Sequence, residues 1–244
     1  IVAACAGAKV AKHGNRGATS KSGSADVLEA ADVNLMLDPI QVASAIEQVG
    51  VGFMFAPAHH GAMKHVITAR KEIGVRTVFN LLGPLTNPAS APNQIIGVFD
   101  AEWIPALLEV LKELGSNHVL IVSADDGLDE ISIASSSAVG ELKDGAITIY
   151  NVSPEDFGIK RYENYDMLKI SSAEESLAML RQALTYENQA AGDIVALNAG
   201  AAIYAANLTE DLNTGVQRAK QVLNAGVAVD KLDELAKFTH SFDL

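Results

Sequence analysis

The spacing of apolar and polar positions changes period repeatedly along the chain, and the changes predict strands alternating with helices. Ile1 to Ala6 reads as the end of a helix closed by Gly7, and Lys9 to Lys12 as a short strand feeding a polar loop. A helix from Ala25 to Ala30 follows, with Ser22 or Ser24 placed to cap it. Asp38-Pro39 has the form of an N-cap with proline in the first turn, so Ile40 to Val49 is predicted helical up to Gly50, and Val51 to Phe55 is a buried strand. Arg76 to Leu81 is a further strand, ended by the rigid turns Gly83-Pro84 and Asn87-Pro88. Glu102 to Leu114 sets Ile104, Leu107, Leu108, Leu111 and Leu114 on one helical face before Gly115, and Val119 to Val122 is a central strand. Ala138 to Leu142 and Ala146 to Tyr150 flank Lys143-Asp144-Gly145 as a hairpin at a sheet edge. From Ser171 the pattern turns helical, with Ser171/Glu174 or Ser172/Glu175 as a capping box and three or four helices to the end, which read as packing elements. This order predicts an α/β protein with a mainly parallel central sheet flanked by helices and a helical C-terminal part.

Composition narrows the function classes. A chain of 244 residues with 49% hydrophobic content can bury a large core, so one sizeable domain, with or without a satellite, is expected. A formal charge of −12 and a pI near 4.8 argue against electrostatic capture of nucleic acid or of an anionic membrane surface. An anionic ligand therefore needs a local positive site. Residues 9 to 21 supply one, because Lys9, Lys12, Arg16 and Lys21 fall there with no acid among them. The single cysteine, Cys5, lies in an apolar stretch and excludes an intrachain disulfide, as expected of a reducing, cytoplasmic compartment. A bilayer-spanning run, a signal peptide and internal repeats are not evident.

The densest chemistry lies in Lys12-His13-Gly14-Asn15-Arg16-Gly17-Ala18-Thr19-Ser20-Lys21-Ser22-Gly23-Ser24-Ala25-Asp26. Glycines permit close backbone approach to a ligand, hydroxyls and cations surround them, and a helix N-terminus follows, a combination suited to phosphate. An ordinary Ser- and Gly-rich connection between strand and helix is the plainer alternative. His59, His60 and His65 lie within one short stretch, but no two of them form an i, i+4 pair, so zinc is disfavoured. Asp125-Asp126-Gly127-Leu128-Asp129-Glu130 follows a buried strand, where adjacent acids can hold Mg²⁺; by itself this motif is weak and is usually just a turn.

Taken together, these strings resemble the anthranilate phosphoribosyltransferases, the tryptophan-pathway enzymes that join anthranilate to phosphoribosyl pyrophosphate (PRPP). The resemblance rests on Lys12 to Arg16 with Ser22 to Ala30, on Phe55-Ala56-Pro57 with Arg76 to Pro88, and on Asp126 to Glu130. It implies a nucleoside-phosphorylase/phosphoribosyltransferase fold over residues 1 to 244, with about 56 to 72 packing against a small helical domain. It also implies that PRPP is bound by Lys12, His13, Gly14, Asn15, Arg16, Gly17, Ala18, Thr19, Ser20 and Ser24. Anthranilate is implied to meet His13, Asn15, Arg70, Gly83 and Pro84, and Mg²⁺ to meet Asp129 and Glu130. No acid or base is assigned, with His13 the one candidate. The family forms homodimers and carries a Gly-Thr-Gly-Gly-Asp loop and an Asn-x-Ser-Thr turn upstream of the Lys-His-Gly-Asn string. Neither occurs before Lys12 here, so this stretch alone is expected to fold but to have negligible activity. A pyrimidine nucleoside phosphorylase and a non-catalytic nucleic-acid-binding relative are the alternative readings.

Overall fold

The computed structural model describes residues 1–17, 21–59 and 85–242. The expected strand at Arg76 to Leu81, the turn at Gly83-Pro84, and Ala18, Thr19, Ser20, His60, His65 and Arg70 lie outside the described residues. Strands and helices alternate as the sequence predicts, giving the α/β class, and the chain divides into two compact units.

The first unit comprises residues 1–8, 91–169 and 179–230. Its sheet has the order β3 (Asn93–Gly97), β4 (His118–Ala124), β5 (Ser137–Lys143), β6 (Ala146–Val152). β3 pairs parallel with β4 in the register Ile95↔Leu120, while β4–β5 and β5–β6 are antiparallel. The β5–β6 hairpin turns through Asp144 and Gly145, both at positive φ (52° and 78°), as a tight two-residue turn requires. β4 is buried along its whole length, as a strand flanked on both edges within its sheet and covered by helix must be, whereas the outer strand β6 is largely exposed. The crossover between β3 and β4 is the helix Ile104–Glu113, which buries Ile104, Leu107, Leu108 and Leu111. Leu114, placed on the same stripe by sequence, is 66% exposed because the helix has ended and Gly115 turns the chain at φ 81°. The helix Gln189–Ala205 packs on the helix Leu212–Asn224. A core of Leu120, Val122, Ile131, Ile133, Leu197 and Val216 joins these helices to the sheet.

The second unit comprises residues 9–90, 170–178 and 231–244. β1 (Val10–Gly14) pairs parallel with β2 (Val51–Phe55), with Lys12 opposite Phe53 and Gly14 opposite Phe55. β1 therefore runs two residues further than the predicted Lys9 to Lys12, since the ladder with β2 continues through His13 and Gly14. The helix Pro39–Gln48 is capped by Asp38, whose Oδ1 accepts from the N–H groups of Ile40 and Gln41, while Gln41 Oε1 accepts from the Asp38 N–H. Leu37, Val42 and Met54 form a small core there, with Ala11, Ile46 and Phe242 against it. Of the two capping pairs offered after Ser171, Ser172/Glu175 is formed by half: the Glu175 N–H donates to Ser172 Oγ at 3.2 Å, while the Glu175 carboxylate accepts from the N–H and hydroxyl of Ser171 instead of from the Ser172 N–H. Among the described residues no helix is long and apolar enough to cross a membrane.

Candidate functional site

In the second unit the polar loop leaves the end of β1 and enters the helix Ser24–Ala30. Lys12 is exposed, while His13 and Gly14 are half-buried. The N-cap is Gly23, one residue between the two serines that sequence offered, and Ser24 is the first helical residue. The physical reason is Asp26, at the third helical position. Its Oδ2 accepts from the N–H of Gly23 at 2.8 Å and from the N–H of Gly17 at 2.8 Å, so a carboxylate from within the helix supplies the cap. These hydrogen bonds, that from Gly17 foremost, hold the Asp26 carboxyl below its usual range. The two sides of the loop close on one another, since a Cβ at Gly23 would land on the backbone of Asn15, Arg16 and Gly17. The carbonyl of Asn15 accepts from the N–H of Ala25 at 3.2 Å, which pins the loop's entry to the helix.

Arg16 braces the same loop. Its guanidinium donates to both carboxylate oxygens of Glu29, at 2.6 and 2.8 Å, and to Asp26 Oδ1 at 3.1 Å, and it lies 5.6 Å from the centroid of the Phe55 ring. The pairing with Glu29, then Asp26, raises its pKa further above the ordinary arginine value. Among the described residues, the N–H groups of Arg16, Gly17, Gly23 and Ala25 and the Arg16 guanidinium are thus engaged within the loop and its helix. Nearby, Asn87 of the predicted Asn87-Pro88 turn donates through Nδ2 to the Ala11 carbonyl at 3.2 Å, tying that turn to β1 beside Lys12.

Loop closure makes a sharp prediction. Gly23→Ala forces the Asn15–Gly17 backbone away, and a displacement on that scale costs on the order of 10²-fold in reactivity when it moves ligand-holding groups. The expected result is weakened binding of a phosphate-bearing ligand, read by titration with inorganic pyrophosphate. Unaltered binding would show that the closed loop is not a phosphate site.

In the first unit, Asp125 to Glu130 follow β4 directly, at the carboxyl end where α/β sheets present their ligands. The structure sorts the acids. Asp126 is turned into the loop, with Oδ1 accepting from the Leu128 N–H at 3.3 Å and Oδ2 accepting from Ser132 Oγ at 2.5 Å. Asp129 and Glu130 are exposed. Two adjacent carboxylates match Mg²⁺, which takes oxygen ligands and keeps several waters, so these residues fit that ion. Among the described residues no group of three or more His, Cys, Asp or Glu could hold a metal.

Sequence reasoning missed the supports of these two sites: Asp26 as the cap of the loop, Gly97 beneath the acidic turn, and Asn198 beside it. Asp26 closes the polar string itself, and an acid three residues after an N-cap was a usable signal. Gly97 and Asn198 carry no local signal, because their partners are 32 and 67 residues away.

A family model described as the glycosyl transferase family, a/b domain, matches residues 1–229. The anthranilate phosphoribosyltransferase of Hahella chejuensis is 57% identical over 246 residues, spanning 99% of this chain and 71% of that protein. The crystal structure of the enzyme of that name from Thermus thermophilus superposes with a TM-score of 0.91 at 45% identity, over 98% of this chain and 71% of that one. The Saccharomyces cerevisiae enzyme in complex with PRPP and Mg shares the fold, with a TM-score of 0.86 at 24% identity over 98% of this chain and 68% of that one.

Proposed function

Because the chain belongs to the anthranilate phosphoribosyltransferase family, whose reaction moves the phosphoribosyl group of PRPP onto anthranilate in tryptophan biosynthesis, we propose how its residues divide that work. The relatives named above set aside the phosphorylase and nucleic-acid-binding readings. The observation that carries the assignment is the loop between β1 and the helix Ser24–Ala30, whose described residues Asn15–Gly17 and Gly23 are drawn together by the Asp26 carboxylate.

Lys12 brings a compact ammonium to the phosphates, and His13, Gly14, Asn15, Gly17, Ala18, Thr19, Ser20 and Ser24 complete the PRPP contacts. Arg16 acts chiefly by holding the loop's shape through Glu29 and Asp26. Asp129 and Glu130 would hold Mg²⁺, an ion present together with PRPP in the yeast relative's structure, and it would neutralise charge gathering on the departing pyrophosphate. Anthranilate meets Arg70 through its carboxylate and Gly83-Pro84 through its ring, with His13 and Asn15 placing its amine toward C1. As the new C–N bond forms, the bond from C1 to the pyrophosphate oxygen breaks. An arylamine is weakly basic and gives up its proton late, so positioning supplies much of the acceleration and no side chain is assigned as base. Residues 1–244 serve as catalytic domain, with about 56–72 as the part that packs on a small helical domain, in a reducing cytoplasm.

Arg70→Ala tests the anthranilate assignment. Losing a charge-assisted pair worth about 1.5 to 3 kcal/mol raises the KM for anthranilate about tenfold or more and leaves that for PRPP nearly unchanged. Steady-state kinetics with each substrate varied in turn decide it, and a parallel rise in both constants would make Arg70 a structural residue.

A further inference from the structure

Asp129 and Glu130 stand on a short stretch of chain that is fixed on both sides. Gly97, the last residue of β3, approaches the Asp129 carbonyl so closely that a Cβ there would coincide with the oxygen. On the other side, Ile131 has both backbone polar groups taken by one side chain. Its N–H donates to Asn198 Oδ1 at 2.8 Å, and its carbonyl accepts from Asn198 Nδ2 at 3.0 Å. The same Nδ2 donates to the Ile194 carbonyl at 3.0 Å, one turn earlier on the helix that carries Asn198, which fixes which end of the amide faces each group. The Ile131 side chain is 1% exposed in the core of the first unit, and Ser132 after it is fully buried. A polar helix residue thus directs its amide at the residue that follows Glu130.

We infer that Asn198 is a positioning residue for the carboxylates of Asp129 and Glu130: its clamp on Ile131, opposed by the contact of Gly97 with Asp129, orders the two acids before any cation arrives. This rests on the reading of Asp129 and Glu130 as the Mg²⁺ ligands. Groups that orient ligands from behind are commonly worth about 10- to 100-fold in metal affinity, because an unclamped turn must be ordered at the moment of binding.

The test uses Mn²⁺ as a spin probe with PRPP present, in the full natural gene product. Native protein, Asn198→Ala, Asn198→Ser and the Asp129→Ala/Glu130→Ala double variant are compared well below their melting temperatures. Asn198→Ala is expected to raise the Mn²⁺ concentration for half-saturation about tenfold, with Asn198→Ser, which keeps one hydrogen-bonding group, in between. In steady-state assays the half-saturating Mg²⁺ rises in parallel, excess Mg²⁺ restores kcat, and the KM for anthranilate stays within about twofold of native. If Asn198→Ala does not fold, Asn198→Ser decides alone. Loss of Mn²⁺ binding in the double variant with native binding in the Asn198 variants would overturn the positioning role and leave the ligand assignment standing. Native Mn²⁺ binding by the double variant would overturn the assignment, and the positioning role with it.

Discussion

Glu141→Ala will cost the fold about 3 to 5 kcal/mol, the usual effect of deleting one member of a buried charged network, and a large part of the roughly 5 to 15 kcal/mol by which a domain is stable. Glu141, on β5, is 8% exposed, and His118, on β4, is 1% exposed. His118 Nε2 lies 3.1 Å from Glu141 Oε1, which also accepts from the Tyr204 hydroxyl at 2.6 Å, while Oε2 accepts from the Tyr150 hydroxyl at 3.0 Å. Lys143 Nζ donates to the Tyr204 hydroxyl at 3.3 Å, and His118 Nδ1 lies 2.7 Å from Asn207 Oδ1. Removing the carboxylate leaves three buried or half-buried donors facing apolar surface. Denaturant unfolding measures the loss, and a change below about 1 kcal/mol would show that the network is dispensable.

The same carboxylate gives a pH signature. Burial alone would raise its pKa, but the hydrogen bonds from His118, Tyr204 and Tyr150 outweigh burial and hold it below the ordinary 4.5. A group whose pKa is depressed by folding contributes in full above its unfolded value and loses that contribution as pH falls through the folded one. The stability gap between native protein and Glu141→Gln is therefore widest near neutrality and narrows below about pH 4.5. A gap that widened in acid would reverse the assignment.

On the Mg²⁺ assignment proposed above, the Asp129→Ala/Glu130→Ala double variant loses activity by on the order of 10²-fold or more, because the charge that develops on pyrophosphate would then lack its counter-ion site. Both residues are exposed in a polar turn, so their removal barely touches the core. Asp126, by contrast, is spent on Ser132 and Leu128, and Asp126→Ala acts on the turn itself. The measurement pairs kcat/KM for PRPP at several Mg²⁺ concentrations with a melting curve. Full activity with unchanged Mg²⁺ dependence would remove both residues from the site.

Legibility in the sequence followed the range of the forces involved. The stripe Ile104, Leu107, Leu108 and Leu111 and the turn Asp144-Gly145 are local patterns, and both stand where they were expected. The polar loop was recognisable from its density of glycine, hydroxyl and charge. Sequence places its cap at the neighbouring serines, the common signal before a helix, whereas the acid at Asp26, itself a local signal, reaches back to Gly23. Glu141 reads in sequence as one polar position in a strand; its burial depends on Tyr150 across the hairpin and on Tyr204, 63 residues away. Asn198 sits in an apolar helix and reads as a packing residue, yet its amide is directed at Ile131. A mainly parallel sheet was the expectation, and among the described residues the pairings divide between the parallel β1–β2 and β3–β4 and the antiparallel β4–β5 and β5–β6.

The most direct test of the site follows anthranilate fluorescence on addition of PRPP and Mg²⁺ to the full natural gene product, beside the same protein carrying Lys12→Ala. The account predicts a PRPP- and Mg²⁺-dependent loss of fluorescence in the native protein and a KM for PRPP raised about tenfold or more by Lys12→Ala, since a hydrogen bond to a charged phosphate is worth about 1.5 to 3 kcal/mol. Native PRPP kinetics in the Lys12→Ala protein would contradict the assignment of the Lys12–Asp26 loop to PRPP.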